Sequence, residues 1–123
     1  MTQSFAVVVL VSTLGAWRPA HAANVRADFE AGNVGKVEKV SDTHLRCAVM
    51  GEADQDGRNR QPSWFYFRID GVAGREMTVD ITDLHGEYNY RPHKGEGLRN
   101  TRPVLSYDDN NWRHAEHVEW LPG

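Results

Sequence analysis

This sequence has a single cysteine, Cys47, among 123 residues. One thiol cannot close an internal disulfide, so packing must hold the fold together. Charge of one sign is also lacking. Fourteen Lys and Arg are interleaved with seventeen Asp and Glu, for a formal net charge of −3. Nucleic-acid grooves need clustered basic residues, so no nucleic-acid partner is expected. No apolar run reaches the roughly 20 residues that span a bilayer as a helix. No segment repeats another, and none is low-complexity. Gly-x-Ser-x-Gly, P-loop and paired-cysteine motifs are all missing, which removes the common sequence signatures of hydrolase, nucleotide and thiol chemistry.

What is present reads as strands. The length suits one domain with one core. Ser63-Trp64-Phe65-Tyr66-Phe67-Arg68-Ile69-Asp70 is rich in aromatic side chains that fit a pleated surface. Glu76-Met77-Thr78-Val79-Asp80-Ile81-Thr82-Asp83 alternates with the period of two that marks a half-buried strand. Gly71-Val72-Ala73-Gly74 lies between them, so the pair reads as a central β-hairpin, with Trp64, Tyr66 and Phe67 in the core and Thr78, Asp80 and Thr82 facing solvent. Residues 34–40 read as a strand with an irregularity at Gly35, and residues 43–50 as another, with Cys47 a buried small hydrophobe beside Leu45 and Val49. Residues 51–62 read as an exposed loop. Asp54-Gln55-Asp56-Gly57 has the start of a calcium loop but is followed by Arg58 and Arg60, which suits a plain turn. Residues 84–102 read as a long connection with a short strand around Tyr88 and Tyr90. Residues 103–107 and 112–120 read as strands joined by the polar turn Asp108-Asp109-Asn110-Asn111. The expected fold is all-β, a small antiparallel β-sandwich of jelly-roll type over residues 23–121, with Pro122-Gly123 (122–123) as the start of a linker.

Residues 1–22 read as a signal peptide. Phe5-Ala6-Val7-Val8-Val9-Leu10-Val11 opens an apolar run, and Ala20-His21-Ala22 matches a small-x-small cleavage site. This predicts an exported protein, periplasmic or extracellular, with no membrane association after cleavage. The alternative is a buried first strand in a cytoplasmic protein. Cleavage after Ala22 would remove Arg18 and take the net charge from −3 to −4.

Candidate site residues fall into three groups. His93 and Glu96, in His93-Lys94-Gly95-Glu96, have the spacing of a zinc-ligating pair. A catalytic zinc needs three protein ligands, and only His114 or His117 could supply the third. On a strand His114 and His117 point to opposite faces. This is a weak signal, and no metal or catalytic residue is assigned to this chain. Trp112, with Trp64, Tyr66 and Trp120, offers rings on which a sugar could stack. This supports a second reading, a stand-alone exported module that binds carbohydrate or cell-wall polymer through coplanar exposed rings. Arg68 and Arg113 sit beside aromatics in predicted strands, where a charge calls for a partner; Asp80 and Glu116 are the candidate acids.

Taken together, Phe29-Glu30-Ala31-Gly32-Asn33, Trp64-Phe65-Tyr66-Phe67-Arg68-Ile69, Thr78-Val79-Asp80-Ile81-Thr82-Asp83, Arg102-Pro103-Val104-Leu105-Ser106-Tyr107 and Trp112-Arg113 resemble the N-terminal domain of cytosolic-type zinc carboxypeptidases. The resemblance covers residues 27–121. It implies a small antiparallel β-sandwich that precedes an α/β zinc peptidase domain. It therefore implies a non-catalytic accessory domain with no cofactor of its own, the zinc belonging to the peptidase domain as partner. His93-Lys94-Gly95-Glu96 mimics the family's His-x-Gly-Glu zinc motif but falls inside the β-domain, so the ligand roles do not transfer. Trp112, Arg113 and Arg68 are the expected contact residues.

Overall fold

A computed structural model describes residues 4–9, 22–54, 56–95 and 98–121, the first of these as backbone only. The regular elements are strands: β1 (Ser4–Val9), β2 (Asn24–Arg26), β3 (Val37–Ser41), β4 (His44–Ala48), β5 (Arg68–Asp70), β6 (Met77–Thr82), β7 (Gly86–Tyr88), β8 (Arg91–His93), β9 (Val104–Ser106), β10 (Trp112–His114) and β11 (His117–Leu121). The fold is all-β, and no α-helix occurs among the described residues.

The main sheet runs in the order β11-β1-β6-β4-β3, and three two-stranded ribbons, β2-β5, β9-β10 and β7-β8, lie apart from it. The alternation of β4 and β6 builds the core. Leu45, Cys47, Val49, Met77, Val79 and Ile81 form one buried cluster with Leu84 and Ala115. Val25 of β2, Ile69 of β5 and Leu105 of β9 pack against that cluster, as do Phe65 and Phe67, so these ribbons and the 65–67 stretch make a second layer. The core position of Cys47 was legible in its sequence spacing. Burial, and to a lesser degree the carboxylate of Asp80, pushes its thiol pKa up to about 12.

Several expectations are corrected. The hairpin is not formed: β5 pairs with β2, while β6 pairs with β1 and β4. Gly71 and Gly74, at φ of 78° and 76°, do turn the chain, but the turn carries it from one layer to the other. The main sheet is mixed, because β4 and β6 run parallel. The irregularity in the 34–40 stretch is a register shift between Lys39 and Ser41; Gly35 itself donates regularly to the Ala48 carbonyl. Residues 112–120 are two strands in two different sheets. The break falls at Ala115, fully buried, whose N–H goes to the Pro103 carbonyl at 2.8 Å. Thr82 and Asp80 are buried, Asp80 under its contacts with His44 and Arg46 of β4. Apart from these corrections, residues 4–9, within the run read as an export signal, form β1, paired with β6 and β11.

Candidate functional site

The Phe-x-x-Gly-Asn stretch is where sequence and geometry meet most closely. Gly32 donates to the Phe29 carbonyl at 2.9 Å, closing a turn in which Ala31 has a φ of 62°. A Cβ at Gly32 would lie 2.0 Å from the Ala27 carbonyl oxygen, so only glycine fits. Asn33 follows and is buried. Its Nδ2 donates to the carbonyls of Met50 and Trp64, each at 3.0 Å, and its backbone exchanges both hydrogen bonds with Tyr66. One amide thus ties three remote pieces of chain together by donating to two carbonyls at once.

This clamp sets the orientation of the aromatic run. Phe65 and Phe67 turn inward, while Trp64 and Tyr66 turn out, 42% and 37% exposed. The expectation that Trp64 and Tyr66 are core residues, drawn from the usual burial of aromatic side chains, is therefore wrong. Tyr66 bridges two rings. Phe29 lies 5.0 Å from it at 79°, and Trp112, 47% exposed, lies 6.0 Å from it at 60°. The result is an edge-to-face cluster of half-exposed rings on the surface. A sugar platform needs coplanar rings. Trp112 has the exposure that the carbohydrate reading requires, but it packs across Tyr66 at a steep angle.

Arg68 follows Tyr66 by two residues in the same run. The Arg68 guanidinium pairs with Asp109, in the turn that leads into β10. Neither expected acid is its partner. That turn is organised by Asp108, whose carboxylate accepts from the N–H groups of Asn111 and Asn110 at 2.7 and 2.9 Å and from the Ser106 hydroxyl at 3.0 Å. These donors, Asn111 foremost, hold the Asp108 carboxyl well below its ordinary range. Arg113 is not part of the cluster. It lies on the other face of β10, with its guanidinium 5.3 Å from the Tyr107 ring centroid.

The remaining candidates separate. His93 ends β8, and its Nδ1 accepts from the Gly95 N–H at 3.1 Å; Glu96 lies outside the described residues. His114 and His117 belong to different sheets. Among the described residues, no three of His, Cys, Asp and Glu are gathered as a metal site. Asp54, the first residue of the calcium-like stretch, accepts from the Asp56 and Arg58 N–H groups and from the Tyr90 hydroxyl, the last at 2.7 Å. Both its oxygens serve the loop, which is a turn closed by the Gly57 N–H to the Asp54 carbonyl.

One cluster was missed from sequence. The Asp80 carboxylate, 7% exposed, meets His44 Nε2 at 2.8 Å and Arg46 Nε at 3.5 Å, and Arg46 reaches on to Glu38 at 3.3 Å. The parallel pairing of β4 with β6 puts Arg46 opposite Asp80. No local pattern announces it, since 36 residues separate His44 from Asp80. A buried carboxylate needs such partners.

Comparison with known proteins decides the family. The profile of the cytosolic carboxypeptidase N-terminal domain matches residues 25–120. The chain belongs to this family. Neither the curated proteins nor the solved structures searched contain a match. Within this carboxypeptidase N-terminal domain, the residues that carried the resemblance divide between two jobs. Gly32, Asn33, Phe65, Phe67, Val79 and Ile81 build the fold. Phe29, Tyr66, Trp112 and Arg68 form its aromatic surface.

Proposed function

We propose that this domain is the non-catalytic N-terminal accessory domain of a zinc metallocarboxypeptidase-like protein, packing beside a peptidase domain that follows it and shaping substrate access to that domain's cleft. Family membership supports the first part, since the family is described as the N-terminal domain of a carboxypeptidase. The observation that carries the second is the ring cluster of Phe29, Tyr66 and Trp112 beside Arg68, held half-exposed by a buried amide clamp. Aromatic residues and arginine are enriched where protein interfaces are tightest. In this reading zinc and the hydrolytic residues belong to the peptidase domain. The family's description as cytosolic agrees with the cytoplasmic alternative, and the exported one rests on the N-terminal run alone.

Reading the gene beyond the codon for Gly123 is the first test, with a peptidase domain in frame as the expected result. Binding to that separately expressed peptidase domain is the second. Trp112→Ala and Arg68→Ala should each weaken it at least tenfold, and Arg113→Ala, off the cluster, should weaken it less. Equal affinity for all four proteins would reject the ring cluster as the contact surface.

A further inference from the structure

β1 stands outside the family-matched residues, which begin at Val25, yet it lies inside the main sheet, between β11 and β6. Its register runs from Ser4 to Val8 against Leu121 to His117 on one side, and from Phe5 to Val9 against Ile81 to Met77 on the other. It is the one strand paired with β11 among the described residues. Its neighbours β6 and β11 both run antiparallel to it, so they run parallel to each other, two strand spacings or about 10 Å apart. At that distance they cannot share hydrogen bonds. Val79 and Ile81, among the most buried residues of the core, sit in the rows opposite Val7 and Phe5, and Val118 and Trp120 complete those rows on β11. From Phe5 to Val9 the segment is an unbroken apolar run without Pro or Gly, the composition of a strand enclosed by other strands.

We infer that the gap between β6 and β11 is a strand-binding slot whose ligand is an extended apolar segment, filled in this chain by Ser4–Val9. The slot supplies two ladders of backbone groups, which bind any extended chain. The apolar rows on either side select the alternate side chains. Ser4–Val9 is then a resident strand of the folded domain, and its loss leaves β11 without a ladder to the main sheet and β6 as the new edge. This inference is independent of the peptidase reading, because it concerns the domain alone.

The test uses the full chain with a protease site placed between residues 13 and 18, cut after folding. The N-terminal fragment should stay with the domain through size-exclusion chromatography, and a Val7→Pro copy, lacking one ladder N–H, should be released at least tenfold faster. If the wild-type fragment is released, amide exchange at β11 decides. Lost protection at residues 117–121, restored by adding a synthetic peptide of residues 1–12, supports the slot. Release with β11 still protected and an unchanged melting temperature overturns it, as does equal retention of the Val7→Pro fragment.

Discussion

β6 and the 64–67 stretch both alternate in sequence, yet they end in opposite situations. β6 has β1 on one side and β4 on the other, and both its faces are largely buried. The 64–67 stretch has only the single bridge between Tyr66 and Asn33, and half its rings face outward. Side-chain chemistry does not explain the difference, since the aromatic run is the more apolar of the two. Strand neighbours do. A central strand has its backbone paired on both edges, and β6 also has both faces largely covered, while a stretch tied at one bridge is held mainly by its inward row. The more hydrophobic segment is thereby left to make a surface, and the segment carrying Asp80 becomes the core.

Chemical reactivity should show the contrast most strongly. Cys47, on the strand next to β6, has its thiol pKa raised from 9.0 to about 12. At pH 8 the native thiolate fraction falls about a thousandfold, so a disulfide reagent should label it only as fast as the domain opens. The sign for stability follows. The folded-state pKa is the higher one, so this contribution is present below pH 9 and declines as pH rises from there toward 12. Rapid stoichiometric labelling of the native protein would contradict a sealed core. Next comes Ile81→Ala in β6, which should cost about 2–5 kcal/mol by denaturant melts. Asn33→Ala removes both clamp hydrogen bonds, to the Met50 and Trp64 carbonyls. It should cost about 1–3 kcal/mol and also move the Tyr66 and Trp112 ring signals in NMR spectra. The smallest effect is expected at Trp112→Ala, within about 1 kcal/mol, because the ring is half-exposed. If Trp112→Ala destabilised the domain as much as Ile81→Ala, the division between core strand and exposed ring cluster would collapse.

The Asp108 turn sharpens the same comparison from the side of acid. Its carboxyl lies well below the ordinary range through the N–H groups it receives. A depressed folded-state pKa gives a contribution that is present above the unfolded value near 3.8 and lost as pH falls through the folded one. The Asn110 and Asn111 amide resonances should therefore keep their positions through pH 4 and move only in stronger acid. Movement centred on the unshifted value would show that the turn is not held by Asp108.

Local chemistry was enough for a good part of this protein. Alternation placed Leu45, Cys47, Val49, Met77, Val79 and Ile81 on a buried row, because a strand repeats every two residues whatever its neighbours are. Asp108-Asp109-Asn110-Asn111 announced a turn, because a short carboxylate can reach its own following N–H groups. Gly32 beside Asn33 marked a tight reversal. Pairing could not be read in the same way. That β6 lies between β1 and β4, that Arg68 meets Asp109, and that His44 and Arg46 close on Asp80 are contacts between residues far apart in the chain. Nothing in a window of sequence encodes which strand will lie beside which. The choice is made when the whole core closes, by which arrangement leaves the fewest backbone groups unpaired and the fewest apolar rows uncovered. The same closure left Trp64, Tyr66 and Trp112 outside, because the inward positions were already taken by Phe65, Phe67 and Leu105.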